Sequence, residues 1–142
     1  MAIKDTPKGQ PDSALDFPRV VDDVGQEYDP TDVVGYMENK YPEMTQEFRT
    51  IQQEQYELFL HKQHDYGPGN ISVGTQLQTL EEIKLSLTGL WFRMNDKLQR
   101  VKTLLMNDRE SAVKDEPLED AYLDVSNYGI MATIVGRDKW GK

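Results

Sequence analysis

Between Leu87 and Leu105 the apolar residues Leu87, Leu90, Trp91, Met94, Leu98, Val101 and Leu105 recur close to every 3.6 positions. That period belongs to an α-helix with one apolar stripe, and a strand cannot keep it. The spacing predicts a long helix over about residues 77–106. A helix of that length needs other helices to cover its stripe, so the rest of the chain is expected to supply them.

The remaining segments agree. Phe48, Ile51, Gln55, Leu58 and Phe59 predict a helix over about residues 43–64, its stripe interrupted by one glutamine. Asp65-Tyr-Gly-Pro-Gly-Asn70 stops it, because glycine and proline do not continue a helix. Residues 71–76 read as a loop or short turn. Leu118, Ala121, Tyr122, Val125, Tyr128, Gly129 and Ala132 predict a last helix from about Glu116 to Val135, with Pro117 at its first position. Small residues at 129 and 132 are expected to let another helix approach closely. A short helix is expected after Asp29-Pro-Thr31, with Thr31 as N-cap, Val34 and Met37 as its stripe and Pro42 as its end. Trp140 reads as an anchor in the tail. No strand alternation runs beyond a few residues.

The expected fold is all-α: an antiparallel bundle of three main helices plus a short one, completed by a second copy of the chain. Residues 1–30, with prolines at 7, 11, 18 and 30, read as an extended or partly disordered arm. Residues 31–142 read as a single domain. Only 37% of the chain is hydrophobic and the mean hydropathy is −0.70, so the core is modest and a homo-oligomer that shares it is expected.

Charge and composition narrow the chemistry. A formal charge of −9 opposes non-specific binding to duplex DNA, which requires clustered Lys and Arg. Cysteine is absent, so disulfides, thiol nucleophiles and Cys-ligated zinc are excluded. No apolar run approaches the roughly 18 residues of a membrane span, and no leader-like apolar segment opens the sequence. The expected location is the cytoplasm. Phosphate-binding glycine loops and serine nucleophile elbows are also missing, so a metal-activated water is the expected attacker if this is an enzyme.

Three clusters carry possible chemistry. Glu116, Asp120 and Asp124 sit one helical turn apart, and their mutual repulsion would be relieved by Mg²⁺ or Mn²⁺. Acids at a helix N-terminus are also favoured by the helix dipole alone, which explains Glu116 better than Asp124. Asp96 is flanked by Arg93, Lys97 and Arg100; this is either a surface ion-pair array or a metal ligand beside phosphate-binding cations. His61, His64 and Asp65 precede Tyr66-Gly67. His64 and Tyr66 could contact a nucleoside, or they could mark an ordinary helix C-terminus.

His64-x-Tyr66-Gly67, Gly89-Leu90-x-x-Arg93-x-x-Asp96-Lys97-x-x-Arg100 and Glu116-x-x-x-Asp120-x-x-x-Asp124-x-x-Asn127-Tyr128 together resemble the nucleotide modification associated domain 1 family of phages and bacteria. The resemblance spans about residues 45–135. It implies a role in phage nucleotide metabolism or DNA-base modification. A more distant likeness is to the all-α MazG-type nucleoside triphosphate pyrophosphohydrolases, which hold Mg²⁺ on paired acids of two helices. One acid of each pair is missing here: Arg93-x-x-Asp96 and Ala121-x-x-Asp124 stand in those places.

The resulting expectation is a Mg²⁺-dependent enzyme that converts a (deoxy)nucleoside triphosphate to monophosphate and pyrophosphate. Asp96 and Asp124 would be catalytic, and they would hold the metal with Asp120 and Glu116. Arg93, Lys97 and Arg100 would steady phosphates, and His64, Tyr66 and Asn127 would contact the nucleoside. The alternatives are a non-enzymatic helical dimer acting as a nucleotide-binding or adaptor module, or a structural virion-associated protein.

Overall fold

The computed structural model describes residues 19–142. Much of the expected arm therefore lies outside the described residues. The fold is mainly α-helical, as the periodicity implies, and the chain separates into two compact units, 1–52 and 53–142.

The described part of the first unit begins with a two-stranded antiparallel hairpin, β1 (Val20–Val21) and β2 (Glu27–Tyr28). Asp22 builds its turn. One carboxylate oxygen accepts from the backbone N–H groups of Val24 (3.0 Å) and Gln26 (2.8 Å), while Gly25 takes the left-handed φ of 85° that closes the loop. The other oxygen accepts from the Tyr36 hydroxyl and from Lys40 Nζ at 2.6 Å. Tyr36 and Lys40 lie one turn apart on α1 (Val33–Lys40), so one aspartate ties hairpin to helix. Tyr28 stacks on Tyr36 with ring centroids 4.1 Å apart. The α1 cap is Asp32, whose side chain accepts from Gly35 N–H, and not Thr31; Thr31 is turned instead to hydrogen-bond the Asp29 carboxylate at 2.6 Å. Val34, expected in the stripe, is exposed.

Helix α2 (Pro42–Tyr66) starts at the proline expected to end the preceding helix, since proline fits a first helical turn. The boundary between the units falls inside it. In the second unit Gln55, the polar interruption of the expected stripe, is buried and donates to the Leu123 carbonyl at 3.2 Å. Gly67, at φ 71°, caps α2 by donating to the Gln63 carbonyl. One further helical turn, α3 (Gly69–Ser72), straddles the expected stop and the start of the expected loop.

Helix α4 (Leu80–Met106) begins at a capping box that apolar periodicity does not reveal. Thr79 accepts from Glu82 N–H, and the Glu82 side chain accepts from the Thr79 N–H. Helix α5 (Leu118–Gly136) starts one residue after Pro117, which occupies the N-cap position. Contacts pair Arg93 with Tyr128, Lys97 with Asp124 and Arg100 with Pro117, so α4 and α5 run antiparallel.

The core of this unit comprises Ile71, Leu90, Met131, Val135 and Trp140, with Phe59, Ile83, Leu87 and Tyr128 packed around it. Each fully buried aliphatic side chain contributes on the order of 2 kcal/mol. Trp140 does anchor the tail: it is buried, meets Phe59 edge to face at 6.0 Å, and donates Nε1–H to the Pro68 carbonyl at 3.0 Å. Ser86, 1% exposed, donates to the Ile71 carbonyl at 2.6 Å and so pins α3 to α4.

Two packing expectations are corrected. The α4 stripe does not all turn inward: Leu90 is buried, whereas Trp91, Leu98 and Leu105 remain more than half exposed. Gly129 receives no close helix either, because a Cβ built there would meet no atom within 4 Å.

Candidate functional site

Helix α2 places Phe59, Lys62, Gln63 and Tyr66 at i, i+3, i+4 and i+7, on one face. That face, Asn70 and Ile71 of α3, Arg93 of α4, and Asp124, Asn127, Tyr128 and Met131 of α5 surround a cavity of about 260 Å³. Three helices and a helical turn thus bring two cations, one carboxylate, two tyrosines and three side-chain amides to one opening.

Charge in this cavity is arranged around Asp124. Its side chain is only 18% exposed; one oxygen lies 2.8 Å from Lys97 Nζ and the other 3.7 Å from Lys62 Nζ. The hydrogen bond to Asp124 is the main reason the Lys97 ammonium holds its proton more tightly than an ordinary lysine, with burial opposing it. Two positive groups thus converge on one negative group, leaving excess positive charge that suits an anionic ligand.

Arg93 is positioned rather than loose. Its guanidinium donates to the Asn70 side-chain oxygen at 2.9 Å and backbone carbonyl at 3.3 Å, and it lies 6.0 Å from the Tyr128 ring centroid. The unused N–H groups of such a planar fork are well suited to phosphate. Asn127 lines the cavity at 8% exposure, and its amide has no hydrogen-bond partner among the described residues. The Gln63 side-chain oxygen in the cavity wall is buried and also unpartnered. These amides are the donors and acceptors from which a base or sugar could be read.

Of the site residues expected from sequence, Tyr66, Arg93, Asp124 and Asn127 line this cavity, and Lys97 reaches it through Asp124. The others lie elsewhere. His64 is exposed at the end of α2, with Nδ1 3.1 Å from its neighbour Asp65. Arg100 donates to the Glu116 carbonyl, to the Pro117 carbonyl at 3.3 Å and to Ser111 Oγ at 3.0 Å, so it holds the entry to α5. Asp96, Glu116 and Asp120 are exposed and do not line the cavity. Among the described residues no group of three or more His, Asp or Glu side chains is placed to hold a metal ion. The carboxylate inside the cavity faces ammonium groups rather than other acids.

Lys62, Gln63 and Asn70 line the cavity but lie outside the three sequence clusters. Lys62 had a legible signal, a cation one turn from Phe59 and Tyr66 on the same face. Asn70 had none, because it reads as a turn residue.

A model of the family described as nucleotide modification associated domain 1 matches residues 62–135, just over half of the chain. The match starts at Lys62 and stops at Val135, one residue before the end of α5, so it contains the cavity except for Phe59. No protein among the curated proteins and no solved structure matches the chain. No helix among the described residues is long and apolar enough to cross a membrane.

Proposed function

The chain belongs to the nucleotide modification associated domain 1 family, and from that premise we propose that the cavity between α2, α4 and α5 binds a nucleotide. The observation that carries this reading is the convergence of Lys62, Arg93 and the Lys97–Asp124 pair with Tyr66, Tyr128 and Asn127 on one opening. Lys62 and Arg93 meet the phosphate. Tyr66 and Tyr128 offer ring faces to a base, and Asn127 offers its amide to base or sugar. The cavity is slightly smaller than the usual range for a whole drug-sized ligand, so part of the nucleotide remains at the open mouth.

The narrower activity is cleavage of a (deoxy)nucleoside triphosphate to monophosphate and pyrophosphate. One feature favours it as a second reading: Asp124 is the carboxylate of the cavity. Magnesium that arrives on a triphosphate needs only one or two protein carboxylates, because phosphate oxygens and water complete its shell. Asp124 would hold it, after exchanging its two lysines for the incoming complex. Such a cation supplies charge neutralisation and an acidified water. Lys62 and Lys97, released from Asp124, would then bear on the phosphates. The proposed setting is the nucleotide pool or DNA-base modification of a phage-infected cell, in its cytoplasm. Without turnover, the same cavity makes the protein a binding or adaptor module.

Calorimetric titration with a nucleotide panel, with and without Mg²⁺, alongside a pyrophosphate-release assay, tests both layers. Binding in chelator without product supports the module. Product that requires Mg²⁺ supports the hydrolase. Absence of binding to every nucleotide contradicts the proposal.

A further inference from the structure

Seven apolar residues along one side of α4 follow a stricter rule than the helix as a whole. Leu80, Leu87, Trp91, Met94, Leu98, Val101 and Leu105 are separated by 7, 4, 3, 4, 3 and 4 positions. This is the two-per-seven spacing of a coiled-coil seam. Leu80 is 76% exposed, Trp91 56%, Leu98 52% and Leu105 60%, while Leu87, Met94 and Val101 are half-buried. The chain's own core takes the adjacent face, through Ile83 and Leu90. Leu87 also packs against that core, so the seam is presented by Leu80, Trp91, Leu98 and Leu105, spread over most of the length of a 27-residue helix.

We infer that this seam pairs with the same seam of a second copy of the chain, with the two α4 helices antiparallel. Self-complementarity identifies the occupant. When the helix is reversed about the midpoint between Phe92 and Arg93, Leu80 falls opposite Leu105, Leu87 opposite Leu98, and Trp91 opposite Met94. In an antiparallel coiled coil this is the required match of one seam row with the other. The flanking row then sets Glu81 of one copy beside Lys102 of the other, and both side chains are exposed. A two-fold axis repeats every one of these contacts. A parallel pairing instead sets Trp91 on Trp91 and the interrupting Lys84 on Lys84, two unfavourable matches. Antiparallel pairing places Lys84 against Val101, where its stem can pack and its ammonium can reach water.

The area is also suitable. The four exposed seam residues leave on the order of 500 Å² of surface to cover. That is about the apolar share of a standard interface, which buries about 800 Å² on each partner.

Light scattering on the full chain tests the inference. The expected mass is twice the 16.4 kDa of one chain at micromolar concentration. Leu98→Glu should return it to a monomer with unchanged helical circular dichroism, since Leu98 is not part of the core. Glu81→Lys should weaken association several-fold, and adding Lys102→Glu should restore it. Because the chain has no cysteine, orientation can be read directly: a mixture of Leu80→Cys and Leu105→Cys chains should crosslink on oxidation, and Leu105→Cys alone should not. A monomer at all concentrations, a dimer indifferent to Leu98→Glu, or efficient crosslinking of Leu105→Cys alone would each overturn it.

Discussion

Lys97 Nζ lies 2.8 Å from Asp124 Oδ2, joining α4 to α5 at the edge of the cavity. The pair occupies the ground that a phosphate would need. In the nucleotide-binding reading proposed above, Asp124 would act as an internal anion, holding Lys97 and Lys62 in place until a phosphate replaced it. The raised proton affinity of Lys97 follows from this contact. Its stabilising contribution is complete below the free lysine pKa of about 10.4 and is lost only as pH rises through the higher folded value. Lys97 therefore gives nucleotide affinity no pH dependence across the neutral range.

Asp124→Asn separates the two layers of the proposal. Removing the internal anion leaves two ammonium groups for phosphate, so affinity measured by calorimetry in chelator should tighten by about tenfold, or roughly 1.4 kcal/mol. In the hydrolase reading the same variant abolishes pyrophosphate release while retaining that affinity. Weaker binding in chelator would contradict the role given to Asp124.

Gly129 and Gly89 both sit inside helices, and a methyl group added at either would meet nothing within 4 Å. Alanine at either should stabilise the fold by about 0.5–1 kcal/mol through helix propensity alone. The thermal denaturation midpoint should rise by about 2–4 °C for each. A loss of stability would mean that a neighbour packs against the glycine after all.

Ser86→Ala removes the 2.6 Å hydrogen bond to the Ile71 carbonyl at a site only 1% exposed. The stranded carbonyl should cost about 1–3 kcal/mol in chemical denaturation. Because α3 supplies Asn70, which orients Arg93, nucleotide affinity should fall as well.

Asp22→Asn weakens the tie between hairpin and α1. Hydrogen bonds from Lys40 and then Tyr36 hold the Asp22 carboxyl far below the usual carboxylate range, and the same contact raises Lys40. The carboxylate's contribution is present above the unfolded pKa of about 3.9 and is lost as pH falls through the depressed folded value. Amide exchange in Val20–Tyr28 should thus stay slow through mildly acidic pH in the parent and become fast at neutral pH in the variant.

Long periodic segments made the helices legible. The α4 stripe located its helix within three residues at the start, and Pro117 located α5 within one. Periodicity did not separate the two partners of that stripe. Leu90 and Trp91 are adjacent apolar residues, yet one enters the core and the other faces outward, because residues one apart on a helix point about 100° away from each other. The candidate site was legible where residues share a helix or a motif, as with Asp124 and Asn127. It was not legible where tertiary packing decides. Arg100 looks like a phosphate ligand in sequence, but the chain entering α5 passes within its reach and takes its donors. Asn70 gains its role only because α3 folds back against α4.

Nitrogen-15 shift mapping during titration with a deoxynucleoside monophosphate in chelator tests the central claim most directly. The account predicts saturable shifts at Lys62, Asn70, Arg93, Asn127 and Tyr128, with little change at Asp96 and Asp120. Shifts centred on Asp96, Glu116 and Asp120, or no saturable shifts with any nucleotide, would contradict it.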